Sequence, residues 1–144
     1  MIIMAVDFGD ARTGLAVCDK SEFLASPAGV ITERDFDVCM QKVAAEAIAR
    51  KAELIVVGYP KNMNNTIGER AEKCQAFAEG LKEMVSVPVE LWDERCTTVS
   101  AHNYLNVTNT RGKKRKAVVD AVAATIILES YLGFRKNQRA AATE

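Results

Sequence analysis

The sequence predicts an α/β fold with a mixed five-stranded sheet, and two observations lead to this prediction. First, three strand-like runs, at residues 2–7, 14–18 and about 28–31, are joined by short links containing Gly, Asp, Ser and Pro, which is typical of hairpin turns. Second, helical and strand-like patterns alternate in the rest of the chain. A meander followed by βα units implies that part of the sheet is parallel and that helices cover both of its faces.

The elements after the meander are assigned from hydrophobic periodicity. Residues 36–51 place apolar side chains at spacings of three and four, which predicts an amphipathic helix, whereas the continuous apolar run 54–57 is typical of a buried strand. The last helix is apolar almost all round, which is typical of a buried helix. The predicted elements are, in order, helix 36–51, strand 54–57, helix 67–84, strand 87–92, helix 97–105 and helix 117–132, so that the chain reads βββαβαβαα.

Length and composition indicate one globular domain. The 144 residues suit a single domain, which we expect at residues 1–136, followed by a disordered tail at 137–144 that has little to pack against. Nineteen Lys and Arg balance nineteen Asp and Glu, which argues against a chain that coats nucleic acid through bulk charge but permits a local basic patch. The four cysteines form no C-x-x-C pair and His102 is the sole histidine, so no zinc site is expected.

The sequence also bears on the compartment. It shows no basic region ahead of an apolar segment, as in a signal peptide, and no apolar run of the roughly 18 residues that suggest a membrane span. We therefore expect a cytoplasmic protein with free thiols and without membrane contact.

Acidic residues follow or end elements that should share one edge of the sheet. Asp7 ends the first strand, and Asp93 and Glu94 directly follow the last strand. In such a sheet, ligands gather at the carboxyl ends of the parallel strands. Asp120 lies in the buried last helix, where an ionised carboxylate is costly unless something pairs with it. The sequence therefore predicts that Asp7, Glu94 and Asp120 converge.

A divalent cation would be a suitable partner for these carboxylates. Mg²⁺ and Mn²⁺ prefer oxygen ligands, and two such ions roughly 3.5–4 Å apart can activate a water and stabilise a leaving oxygen. Simpler interpretations stay open for each acid by itself. Asp7 could belong to a strand-end turn, Glu94 could pair with Arg95, and Asp120 could pair with Lys116 one turn earlier.

Four ordered blocks of the sequence resemble the YqgF nuclease family within the RNase H-like superfamily. The blocks are "DFGDARTG", "VVGYPKNMNNTIGERAEKCQAFAEGL", "DERCTTVSA" and "KKRKAVVDAVAATIILESYL", and together they span about residues 1–134. The resemblance implies an RNase H-like fold and metal-dependent hydrolysis of phosphodiester bonds. It also implies a role in maturing the 5′ end of 16S ribosomal RNA, with Asp7, Glu94 and Asp120 as catalytic, metal-binding acids. Tyr59 stands where the family usually has Leu.

Basic residues beside these acids are candidates for nucleic-acid contact. The stretch "RGKKRK", just before the predicted helix that carries Asp120, contains five basic residues. A phosphate backbone would be a suitable partner for them, although a solvated loop would also account for this composition. Two further arginines lie close in sequence to a predicted catalytic acid and could orient a phosphate or pair with the acid. The predicted contact residues are Arg12, Arg95, Arg111, Lys113, Lys114 and Arg115.

The function expected from these features is that of a nuclease using Mg²⁺ or Mn²⁺ on precursor ribosomal RNA, in association with the ribosome or free of it. Two alternatives stay open: a Holliday-junction resolvase, which would act on DNA junctions, and a nucleic-acid-binding module without catalysis. Junction cleavage usually needs two sites on a symmetric dimer, and the sequence is compatible with a monomer or a homodimer. A fragment of a sugar kinase or actin-like ATPase is disfavoured, since those proteins enclose a nucleotide between two domains.

Overall fold

A computed structural model describes residues 1–9, 11–59, 69–93 and 112–143 of the chain. The elements agree with the predicted order, except that the predicted helix 97–105 and the polar loop after Pro60 lie outside the described residues. The strands are β1 (Ile3–Asp7), β2 (Arg12–Cys18), β3 (Ala25–Thr32), β4 (Leu54–Tyr59) and β5 (Val89–Asp93), and the helices are α1 (Phe36–Ala49), α2 (Glu69–Met84) and α3 (Gly112–Thr143).

The strands form one five-stranded sheet in the order β3-β2-β1-β4-β5. β1 pairs antiparallel with β2, and β2 pairs antiparallel with β3, as expected of a meander. β4 pairs parallel with β1, and β5 pairs parallel with β4. The predicted mixed sheet is therefore confirmed, with β1 at the junction between its antiparallel and parallel parts.

Helices cover both faces of this sheet because successive strand side chains point to opposite sides. Met4 and Val6 of β1 belong to a core cluster that also includes buried side chains of α1 and α2. Ile3 and Ala5, which alternate with them, belong to a second cluster with side chains of α3. β1 is thus buried between two helical layers, which explains its continuous apolar sequence.

The last helix differs from its prediction at both ends. It begins at Gly112 instead of residue 117, so the basic residues after Gly112 are helical rather than part of a turn. It also continues to Thr143, where a disordered tail from residue 137 was expected. The apolar periodicity marks only the part of the helix that packs on the sheet. The two extensions are rich in Lys, Arg and Ala, which are good helix formers but add no apolar periodicity.

β3 is also longer than predicted, since it covers Ala25–Thr32 rather than about residues 28–31. It contains Pro27 and Gly29, which have low β-propensity and hide the strand from a sequence pattern. Both residues are tolerated because β3 is an edge strand with one neighbour. Within the described part of the chain, we find no helix with the length and apolarity that crossing a membrane requires.

Candidate active site

Asp7 lies at the carboxyl end of β1, on the sheet face covered by α3. Its backbone pairs with Gly14 of β2, and the preceding pair in the parallel direction joins Val6 to Val57 of β4. Asp7 follows Ile3 and Ala5 on the same side of the strand, and these two residues pack in the cluster that includes α3. The side chain is half-buried. The strand therefore changes from apolar to acidic where it emerges from the core.

The turn after Asp7 is tight, as the glycines in the sequence indicate. A Cβ atom on Gly9 would lie under 3.0 Å from the carbonyl oxygen of Arg12, closer than real Cβ atoms come to such a neighbour. The Gly9 N–H also faces the hydroxyl of Thr13, with the nitrogen 3.4 Å from Oγ1. Gly9 is thus required by a close approach of backbone to backbone.

Thr13, the second residue of β2, contacts this turn and was not among the predicted site residues. It is fully buried, and its hydroxyl oxygen lies 3.3 Å from the Cys39 sulfur of α1 in addition to its contact with Gly9. Burial raises the pKa of the Cys39 thiol above its usual value, although the hydrogen bond to Thr13 works in the opposite direction. Thr13 therefore connects the turn beside Asp7 to the helical layer below. A polar residue between Arg12 and the apolar core of β2 was the available signal.

The carboxyl ends of three parallel strands meet at the edge where Asp7 lies. Asp93, the last residue of β5, pairs with Tyr59, the last residue of β4. Glu94 follows Asp93 directly in the sequence but lies outside the described residues, as does Arg95. The structure thus supports the predicted common edge for the strands that precede the acids. It does not describe the Glu94 carboxylate itself.

Asp120 is carried by α3, on the helical stretch that precedes the packed part. Ala124, one turn further on, is fully buried in the cluster that includes Ile3 and Ala5. The side chain of Asp120 lies outside the described residues, so its convergence with Asp7 stays a prediction. Within the side chains that the structure describes, no group of three or more His, Cys, Asp or Glu could hold a metal ion. A complete site at this edge would need Glu94 and Asp120.

The predicted nucleic-acid contacts are distributed over two elements and the undescribed part of the chain. Arg12 is the first residue of β2, partly exposed, and pairs with Thr32 of β3. Arg95 and Arg111 lie outside the described residues. The remaining three belong to the beginning of α3, and they are Lys113, Lys114 and Arg115. Their assignment to nucleic acid stays a prediction.

Polar contacts in the middle of α3 fix the helix to the sheet. Trp92 of β5 donates from Nε1 to the hydroxyl of Ser130 over 3.2 Å. The Tyr131 hydroxyl donates to the carboxylate of Glu90, also on β5. Burial and, to a lesser extent, the hydrogen bond to Glu90 raise the pKa of Tyr131 to about 12. The indole of Trp92 is half-buried and contacts the rings of Tyr131 and Phe134.

An ion pair completes these contacts. Nε of Arg135 donates to Oε1 of Glu22 over 2.6 Å, and Nη2 donates to Oε2 over 3.3 Å, so that one edge of the guanidinium contacts both carboxylate oxygens. The hydrogen bond from Arg135 is the main cause that holds the pKa of Glu22 below its usual value. The sequence analysis did not single out either residue, because they are far apart in the chain.

Solved structures with the same arrangement of elements define the class of fold. T. thermophilus RuvC in complex with Holliday junction substrate superposes with a TM-score of 0.56 and 13% identity, covering 92% of this chain and 96% of that one. The fowlpox virus Holliday junction resolvase superposes with the same TM-score and 15% identity, covering 92% and 99% of the two chains. At these identities the likeness concerns the fold alone, and it confirms the predicted RNase H-like α/β class.

Sequence comparison then gives the family. A family model described as "RuvX: Holliday junction resolvase" matches residues 1–133. A protein of Caldanaerobacter subterraneus subsp. tengcongensis named "Putative pre-16S rRNA nuclease" is 43% identical over 141 residues, or 95% of this chain and 99% of that protein. A relative of the same name from Halothermothrix orenii is 39% identical over 94% of this chain and 96% of its own length. The chain therefore belongs to the RuvX family, as the YqgF resemblance predicted.

Both names describe enzymes that cleave phosphodiester bonds, in agreement with the predicted hydrolase class. They differ in the nucleic acid, since one names a DNA junction and the other a ribosomal RNA precursor. The distinction between these substrates therefore depends on chemistry that neither the fold nor family membership decides.

Proposed function

We propose that this protein is a metal-dependent nuclease that processes the 5′ end of precursor 16S ribosomal RNA in the cytoplasm, with Asp7, Glu94 and Asp120 as its catalytic acids. The observation that carries the proposal is the position of Asp7. A carboxylate ends a strand that is otherwise fully buried, at the edge where the parallel strands of the sheet finish. Relatives about 40% identical over nearly their whole length support the choice of substrate.

The course of α3 supports the participation of Asp120. Arg135 meets Glu22, which follows the end of β2 and therefore lies near the beginning of β1. Fifteen residues separate Arg135 from Asp120, which is a rise of about 22 Å along a helix. This length is enough to bring α3 from the Glu22 end of the sheet to the edge at Asp7. Position 120 also belongs to the row of helix positions that includes the buried Ala124 and Ile127.

The donor chemistry at this edge fits a hard divalent cation. Carboxylate oxygens are the ligands that Mg²⁺ and Mn²⁺ prefer, and Asp7, Glu94 and Asp120 would hold the ion or ions. When bound, such ions lower the pKa of a water and stabilise the charge that develops on the leaving oxygen. The chain itself fixes the backbone here, because β1 pairs on both sides up to Val6 and Asp7 pairs with Gly14 of β2. The close approach of Gly9 to the Arg12 carbonyl oxygen determines the path of the turn that follows Asp7.

The charge distribution of α3 supports contact with a polyanion. Lys113, Lys114, Arg115 and Lys116 follow Gly112 directly, and the first turn contains no acid. Cations at a helix N-terminus oppose the helix dipole, with an energy of about 0.3–1 kcal/mol for each exposed charge. A phosphate backbone at this end would compensate the side-chain charges and the positive end of the helix dipole. Arg12, at the start of β2, would extend this basic surface past Asp7.

A cleavage assay on a precursor 16S RNA fragment that retains its 5′ leader tests the proposal. We expect the wild-type protein to cleave in Mg²⁺ or Mn²⁺ and not in chelator. Asp7→Asn and Asp120→Asn should each lower the rate by more than about 100-fold, because each removes a charged metal ligand. Asp37→Asn is the matched control, since this exposed acid lies on α1, on the other face of the sheet. Equal cleavage by wild type and Asp120→Asn would refute the mechanism.

The same proteins distinguish the two alternatives. A synthetic four-way DNA junction that is cut in two symmetric strands, with no cut in the RNA, would establish a resolvase instead, and sedimentation should then show a dimer. A binding module without catalysis would retain RNA affinity and show no metal-stimulated cleavage. Under the proposed function, Asp7→Asn loses cleavage while its affinity for RNA stays within a few-fold of wild type.

A further inference from the structure

The part of α3 that binds the sheet through polar contacts is short and lies far from Asp120. Three side chains within two turns make these contacts, namely Ser130 to Trp92, Tyr131 to Glu90, and Arg135 to Glu22. Further toward the start of the helix, the contacts in the second core cluster are apolar, from Ala124, Ile127 and Leu128. Apolar contacts have no preferred direction, whereas hydrogen bonds do. The three polar contacts at residues 130–135 should therefore set the position of α3 along its axis.

The ion pair is the contact best suited to this task. The Glu22 side chain is only 6% exposed and that of Arg135 is 25% exposed, so the pair is largely shielded from water. A guanidinium that meets a carboxylate through two nitrogens fixes distance and orientation together. Trp92 and Glu90 both lie on β5, whereas Glu22 lies in the β2–β3 turn, on the other side of β1. The ion pair therefore holds α3 from a different part of the sheet.

The backbone conformation at Glu22 indicates that the turn holds the Glu22 carboxylate in place. Glu22 has a φ of 59°, in the left-handed region that residues other than glycine rarely adopt. The side chain of Asp19 stabilises this turn by accepting hydrogen bonds from the N–H groups of Phe23 and Leu24 and from the hydroxyl of Ser21. The turn thus holds an unfavourable conformation that places a nearly buried acid between Arg135 of α3 and the N-terminal ammonium group of Met1, which lies 3.2 Å from Oε2.

We infer that Glu22 and Arg135 are positioning residues, whose ion pair sets the axial position of α3 and through it the position of Asp120. The inference rests on the proposed function, since it assigns Asp120 to the metal site. A helix that slides by one residue moves every position by about 1.5 Å and turns it by about 100°. Metal ligands tolerate deviations of only about 0.2 Å in distance, so that a small shift at residue 135 would matter at residue 120.

Three measurements on Arg135→Ala test this role. We expect the apparent dissociation constant for Mn²⁺, measured by calorimetry, to rise about tenfold, as for the loss of a side chain that orients a metal ligand. The kcat on precursor RNA should fall by a similar factor while KM stays within twofold, because the basic contacts are unchanged. Emission from Trp92, the sole tryptophan, should shift, since its indole contacts Ser130 and Tyr131 of α3. Arg135→Lys should recover part of each change.

Two control variants separate positioning from general stability. Ile127→Val removes one buried methyl from α3 without touching the ion pair, and should lower the urea midpoint while leaving Mn²⁺ affinity within twofold. Arg50→Ala removes an exposed pair with Glu46 on α1 and should change none of the three measurements. The inference is overturned if Arg135→Ala keeps wild-type Mn²⁺ affinity, or if Ile127→Val weakens Mn²⁺ binding as much as Arg135→Ala does.

Failure of the proposed function gives a different result. A wild-type protein that neither binds Mn²⁺ nor cleaves RNA would refute that function, and the role of the ion pair toward Asp120 with it. Normal wild-type cleavage combined with unchanged Trp92 emission and metal affinity in Arg135→Ala would refute the positioning role alone.

Discussion

The turn beside Asp7 gives the sharpest test of the structure, through the substitution Gly9→Ala. The new Cβ would lie under 3.0 Å from the Arg12 carbonyl oxygen, where ordinary contact begins at 3.4 Å, and a backbone oxygen cannot move aside as a flexible side chain can. Overpacking of this kind costs about 1–3 kcal/mol, while the reduced freedom of the unfolded chain returns about 0.4–1 kcal/mol. We therefore expect the free energy of unfolding to fall by about 1–2 kcal/mol.

Urea unfolding followed by Trp92 fluorescence measures this change. With a slope of roughly 2 kcal/mol per molar urea, the midpoint should fall by about 0.5–1 M. Gly133→Ala is the matched control, because its Cβ meets nothing within 4 Å and alanine favours the helix. That variant should gain about 0.5–1 kcal/mol. If Gly9→Ala unfolds at or above the wild-type midpoint, the described turn is incorrect, and so is the argument for the backbone beside Asp7.

Three further predictions follow from described contacts. Thr13→Val keeps the shape of a fully buried side chain but removes the hydroxyl that contacts Gly9 and Cys39. The free energy of unfolding, measured with urea, should fall by about 1–2 kcal/mol, and an unchanged urea midpoint would contradict these hydrogen bonds. Phe77→Ala deletes a fully buried ring and should cost about 3–5 kcal/mol, seen as a large fall in melting temperature. Because the native pKa of Tyr131 is raised to about 12 from about 10, its neutral form favours the folded state, and this stabilisation should be lost as the pH rises from about 10 to about 12. Ultraviolet titration should show a late phase near pH 12 in the wild type that is missing in Tyr131→Phe, and identical late phases in the two proteins would contradict the prediction.

The two faces of the sheet differ in the side chains that they contain. The face covered by α1 and α2 contains a cluster of stacked and edge-on rings from Phe8, Phe36 and Phe77, which are typical core contacts. The face covered by α3 contains the acid at the end of β1 and the polar contacts that hold the helix. The rings of Trp92, Tyr131 and Phe134 pack together on this face as well. The chemistry that we propose therefore depends on the layer of the fold that contains α3.

Much of the fold could be predicted because its signals are local in the sequence. β1 and β4 are apolar runs buried on both faces, and α1 shows its buried side at positions 39, 40, 43, 44 and 47. The bounds of β3 and α3 could not be predicted in the same way. Pro27 and Gly29 mask an edge strand, and the ends of α3 are polar, so that hydrophobic periodicity stops before the helix does.

For the candidate site, the sequence by itself determined that an acid ends the first buried strand, that a glycine-rich turn follows it, and that the chain belongs among nucleases by its four motifs. These features can be predicted because each depends on residues that are close together in the sequence. Only the tertiary structure decided that Thr13 of β2 connects that turn to Cys39 of α1 and that Glu22 contacts Arg135 across 113 positions of the chain. Partners so distant in sequence are selected by packing and by the exclusion of water, which exist only once the sheet and its helices have assembled.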